Sequence, residues 1–175
     1  MHWVTDFLAW LYFEMHTNEY NPNDAITKLE SIARIPIYEY LEDDDYSIGP
    51  NTPHIVFNYL DYLLWTESRQ NFQFEFRNSV EHWYPQNPID SNVRWKDSVL
   101  NHFGNLCIVS SGLNSKFSNN LPLAKRANFR IGIENQSLKL RLMANSTTDA
   151  DAWTEETAIA HGKEMLEKLE NALYK

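Results

Sequence analysis

Apolar residues recur along this chain with two periods, and the change from one to the other divides it. Over residues 3–16, Val4, Leu8, Leu11 and Met15 fall at helical spacing, while Trp3, Phe7 and Trp10 broaden the apolar face until it covers much of the helix. Such a helix is either mostly buried or docked on something outside the chain. Asn21-Pro22-Asn23-Asp24 supplies a turn and an N-cap for a second helix, Ala25 to Arg34. Pro36 is expected to end it, with a short helical piece over Ile37 to Leu41 beyond. Thr52 as cap and Pro53 at the first helical position start a third helix, His54 to about Ser68, with Ile55, Val56, Tyr59, Leu60, Leu63 and Leu64 as its apolar stripe.

From Asn71 the period becomes two. Phe72, Phe74 and Phe76 alternate with Gln73, Glu75 and Arg77, the pattern of a half-buried strand, and lead into Val80-Glu81-His82. Pro85 and Pro88 make Tyr84 to Ser91 a loop. Asn92 to Phe103 is expected to be helical, stopped by Gly104, and Leu106 to Val109 is a short apolar strand. Ser110-Ser111-Gly112 then turns the chain into a helix of about two turns from near Leu113, limited by Pro122. Ile131, Ile133, Leu138, Leu140 and Leu142 fit either strand or helix. In the last helix Thr154 caps, Glu155 and Glu156 complement the positive end, and Ile159, Leu166, Leu169 and Leu173 form one face.

The alternation of helical and strand periods predicts an α+β chain, and its 175 residues suffice for one domain with a sizeable core. Residues 1–68 form a helical support, 69–130 the central strands and helix, and 131–175 C-terminal packing elements. The lone Cys107 excludes an intrachain disulfide or a cysteine zinc knuckle and fits a reducing compartment. The apolar run Phe7 to Phe13 is too short to cross a bilayer and lacks the basic flank of a signal peptide, so a cytoplasmic protein without membrane association is expected. Glu42-Asp43-Asp44-Asp45 lacks the glycine and distal glutamate of a calcium loop and is assigned to solvent.

The net charge of −9 hides a split. Residues 1–68 sum to −10, residues 69–143 to +5 and residues 144–175 to −4, so the middle is basic in an acidic chain. It also carries a set of side chains suited to hydrolysing a phosphodiester with one magnesium ion. His82 is the candidate base, because an imidazole titrates nearest neutral pH. Glu81 and Asn114 offer the hard oxygens that Mg2+ (or Mn2+) prefers. Asn105 is placed to fix either the loop or the imidazole, and Lys116, Lys125 and Arg126 to hold phosphate oxygens. Glu81 and His82 point to opposite faces of a regular strand, so one site takes both only if the strand ends there, which Pro85 favours.

Glu81-His82-x-x-Pro85-Gln86, followed by Asn105 and Asn114 and then Lys125, resembles the His-Me finger (HNH) nucleases. More closely, it is similar to the C-terminal nuclease domain of the nucleotide-dependent, modification-dependent restriction enzymes of bacterial phage defence. Val56 to Leu64 before the motif, and Gly104-Asn105-Leu106, Leu113-Asn114-Ser115 and Ser118-Asn119 after its start, extend the likeness over about residues 50–130. The resemblance implies a ββα-metal core embedded in a mostly helical domain, acting as a DNA endonuclease. It implies His82 as general base, Glu81 and Asn114 near the metal, Asn105 supporting the finger and Lys125 near the phosphate. It further implies a nucleotide-sensing domain, N-terminal or on a separate subunit. Glu81 stands where the wider class has aspartate and reaches one carbon further. The competing expectations are a catalytically inactive DNA-binding or protein-interaction module of the same fold, and an RNA-directed nuclease or toxin.

Overall fold

Two short strands divide the core in two. In the computed structural model, which describes residues 3–17, 21–42, 49–89 and 92–174, β1 (Ser79–His82) pairs antiparallel with β2 (Leu106–Val109), with Ser79 opposite Val109 and His82 opposite Leu106. Side chains alternate across a strand, so Val80, Leu106 and Ile108 join one apolar cluster while Cys107 and Val109 join the other. The first cluster is built by α2 (Pro22–Glu42), α3 (His54–Ser68) and α9 (Glu155–Leu173), through Ile37, Phe57, Leu60, Met165 and Leu169. The second is built by α5 (Ser111–Phe117) and α8 (Leu138–Ser146), with Leu113, Phe117, Leu140 and Met143 packed on Trp83 and Trp153. The remaining helices are α1 (Trp3–Thr17), α4 (Asp97–Leu100), α6 (Pro122–Asn128) and α7 (Arg130–Glu134). The chain is thus mostly helical around a two-stranded sheet, as the α+β expectation requires. Among the described residues no helix is long and apolar enough to cross a membrane.

Both strands, α3, α5 and α9 lie close to where the periodicity puts them, and Thr154 caps α9 by accepting from Thr157 N at 3.2 Å. Several other expectations are corrected. Helix α2 does not end at Pro36 but runs through it. The missing N–H costs a hydrogen bond, and burial of Ile37 and Tyr40 in the turn that follows offsets the loss. Thr52 does not cap α3; its hydroxyl donates to Gly49 O at 2.8 Å. The alternation from Phe72 to Phe76 is not a strand, for Phe74 and Phe76 are 53% and 88% exposed. The buried Arg77 takes the place of a partner strand, donating to Gln73 O, Glu75 O and Asn135 O. The helix over 92–103 shrinks to α4. Trp95 leaves that path to stack on Tyr84 at 4.2 Å, and Lys96 N donates to Glu155 Oε1 instead of to a helical carbonyl. Residues 131–142, open between strand and helix, are helical in α7 and α8. Of the two alternatives for α1 the structure removes burial, since Leu8, Tyr12, Phe13 and Met15 are each more than half exposed, and leaves docking on something outside the chain. The acidic run 43–45 and the loop end 90–91 lie outside the described residues.

One close approach fixes the sheet against α9. A methyl group at Gly104 would lie 1.8 Å from Ala158 O and 2.7 Å from Gly162 N, and one at Gly162 would meet the His102 ring at 2.3 Å. Backbone cannot swing aside as a side chain can. Gly104→Ala is therefore expected to lower stability by about 1–3 kcal/mol or more, read as a drop in melting temperature. An unchanged melting temperature would contradict this contact.

Candidate functional site

The site assembles where β1 ends. Trp83 N donates to Asn105 O at 2.8 Å, and the fully buried Asn105 side chain then uses every hydrogen-bonding position it has. Its Oδ1 accepts from Tyr84 N at 2.8 Å and from Trp153 Nε1 at 3.3 Å, and its Nδ2 donates to Tyr84 O and Leu100 O, both at 3.0 Å. Asn105 thus clamps the chain leaving β1 and does not touch the imidazole. Of the two tasks left open for it, the structure gives it the loop.

The imidazole belongs to another residue. His82 Nε2 lies 2.9 Å from Asn101 Oδ1. Since that oxygen only accepts, Nε2 carries the proton, and the lone pair is left on Nδ1, which has no hydrogen-bond partner among the described residues. Burial lowers the His82 pKa and Lys125 adds to the effect, while the hydrogen bond donated to Asn101 opposes it, so the neutral ring is favoured. Sequence reasoning missed Asn101. Inside a helix over 92–103 nothing marks it; it reaches His82 only because α4 stops at Leu100 and because Gly49, at φ +55°, lets its side chain pack closely.

On the other face of the sheet stands the second half of the site. Lys125 of α6 is fully buried, and its Nζ donates to Glu81 Oε1 at 2.7 Å, His82 O at 2.7 Å and Trp83 O at 3.0 Å. Three donors meet three acceptors, and the Phe117 and Trp83 rings lie at 5.5 and 5.9 Å. Burial pushes the lysine pKa down against the pull of Glu81, and pushes the Glu81 pKa up against the pull of Lys125. An ammonium so enclosed orients Glu81 and the end of β1; it presents no free donor to a phosphate. Lys116 stands exposed in the last turn of α5, and Arg126 donates to Thr147 O at 2.8 Å.

Asn114 shares the sheet face of Glu81. Its Nδ2 donates to Ser79 Oγ at 2.6 Å, which leaves its Oδ1 without a partner among the described residues. Ser79 and Glu81 are neighbours on that face, two residues apart along β1. No group of three or more His, Cys, Asp or Glu able to hold a metal is found among the described residues. A magnesium ion does not need one, since it keeps several waters and takes one or two protein oxygens. An unpartnered amide oxygen on the same sheet face as a carboxylate offers the kind of oxygens that demand names, with Lys125 as the competing cation at Glu81.

The structure therefore groups Glu81, Asn114 and Lys125 on one face, His82 with Asn101 on the other, and Asn105 between them at the strand end. Lys116 and Arg126 lie outside this arrangement. Residues 17–168 match the family model described as GmrSD restriction endonucleases, C-terminal domain. No curated protein and no solved structure matches the chain.

Proposed function

The chain belongs to the family of GmrSD restriction endonuclease C-terminal domains, and from that premise we propose that it is a metal-dependent DNA endonuclease of the ββα-metal kind, working as one unit in a restriction or phage-defence system. What supports this most is the placement of His82: Nε2 is committed to Asn101, Nδ1 keeps a free lone pair, and burial favours the neutral ring. An imidazole so arranged takes a proton from water. The hydroxide then forms its bond to phosphorus as the opposite ester bond breaks, the departing ester oxygen takes a proton from solvent water, and the proton removed from the attacking water rests on Nδ1. Glu81 and Asn114, on the opposite sheet face from His82, are the residues that would hold Mg2+ or Mn2+, which would supply charge stabilisation at the phosphoryl oxygens when bound, so the proposal requires the scissile phosphate to reach both around the end of β1 at His82. Lys125 keeps Glu81 and the two carbonyls after it in place. Asn105 keeps the loop from drifting off the base. A nucleotide-sensing domain or subunit would govern access to DNA.

The Glu81–Lys125 ion pair favours a second reading, an inactive DNA-binding or interaction module, in which the lysine has taken the place of a metal. One assay separates the two. The purified chain is incubated with supercoiled plasmid and with modified phage DNA in Mg2+ or Mn2+. Nicking that stops on chelation is the expected result; no metal-dependent nicking of either DNA would leave the module.

A further inference from the structure

Helices α6, α7 and α8 enclose a groove of about 680 Å³ away from the strand end. Three guanidinium groups line it, from Arg126, Arg130 and Arg141, against a single carboxylate, Glu134. That balance is the reverse of the chain's own, which is −9. The arginines are also under-used. Arg126 gives Nη1 to Thr147 O at 2.8 Å, and Arg130 pairs at 3.2 Å with Glu134 while its side chain stays 82% exposed. Arg141 gives Nη1 to Gln70 Oε1 and Asn71 O at the long distances of 3.4 and 3.3 Å, and its buried Nε has no hydrogen-bond partner among the described residues. A guanidinium carries five donors in a fixed fork that matches phosphate oxygens. Most of these fifteen or so donors are unclaimed among the described residues.

We propose that this groove binds the phosphate backbone of the DNA substrate, with Arg126, Arg130 and Arg141 as its phosphate contacts. The proposal rests on the nuclease reading. One helix joins the two places: Lys125 of α6 grips Glu81 and the carbonyls of His82 and Trp83, and the next residue, Arg126, faces the groove. A strand lying in the groove is thereby referred to the end of β1 through α6. Leu123 and Ile133 also line the groove, giving sugar and base edges an apolar surface.

The test is fluorescence anisotropy of a labelled DNA duplex in EDTA over a series of salt concentrations. Arg130→Gln should weaken binding about tenfold, as the loss of one charge-assisted contact does. It should also reduce the slope of log K against log salt by about 1, and Arg130→Gln with Arg141→Gln by about 2. Glu134→Gln should act in the opposite sense and tighten binding. Arg141 packs on Phe72 at 5.3 Å; should its variant unfold, Arg130→Gln and Glu134→Gln still decide the matter, both side chains being mostly exposed. Unchanged affinity and slope in those two, with the wild type still nicking plasmid, overturns the groove and leaves the nuclease. Displacement by millimolar inorganic phosphate with no dependence on duplex length marks a small-anion site, and preference for RNA over the DNA duplex marks another polymer; either overturns it too. A wild type that neither binds nor nicks DNA removes both proposals.

Discussion

His82→Ala should reduce metal-dependent nicking by a factor of about 10²–10⁴, the usual worth of a positioned general base, while the chain stays folded. Among the described residues the side chain makes one hydrogen bond, to Asn101, so its removal strands one partly buried amide oxygen at a cost of about 1–3 kcal/mol. A circular dichroism melt and a nicking time course on the same preparation separate the two effects. Asn101→Leu should do less harm to rate than His82→Ala, because it frees the ring and its tautomer without deleting the base. The pH profile carries a sign. Burial places the His82 pKa below 6.5, and the neutral ring is the active form, so the rate should hold as pH falls past 6.5 and decline only below it. Nicking by His82→Ala at the wild-type rate would remove the residue from the mechanism. An acid limb above pH 6.5 would contradict the buried, neutral ring.

How much of this was legible depended on whether a residue's role is local. The strand ending at His82 and the cap at Thr154 follow from neighbours in sequence, and the structure has both. Asn101 was illegible because its role depends on where a helix stops. That stop is set by Trp95 stacking on Tyr84 and by Glu155 binding Lys96 N, contacts that reach across 11 and 59 residues. The alternation from Phe72 to Phe76 misled for the same kind of reason. A period of two signals a strand only where a partner strand exists, and here Arg77 satisfies the carbonyls. Charge was the other partial guide. The +5 of residues 69–143 counts Lys125 and Lys139, both fully buried, and Lys139, tied to Phe103 O and Leu106 O, has its pKa pushed by burial down to about 7. The surface is less basic than the sum, and what remains is concentrated in arginines.

Lys125→Met should cost about 3–5 kcal/mol, the price of stranding one member of a buried ion pair. For a chain of this size that corresponds to a fall in melting temperature of roughly 10 °C. The reason is the number of acceptors that depend on one nitrogen: Glu81 Oε1, His82 O and Trp83 O lose their donor together. Methionine fills much the same volume, so the loss is electrostatic and not a cavity. Two further measurements distinguish this from a phosphate-binding lysine. Without Lys125 the Glu81 pKa, already raised by burial, rises further above its unfolded value. A group shifted in that direction favours the fold at low pH and disfavours it as pH rises through the folded value, so the variant's deficit should shrink on acidification. Adding Glu81→Leu should restore part of the stability by removing the stranded carboxylate, though not all of it, because the two carbonyls stay without their donor. A lysine that only met phosphate would give the opposite pattern, with activity lost and the melting temperature unmoved.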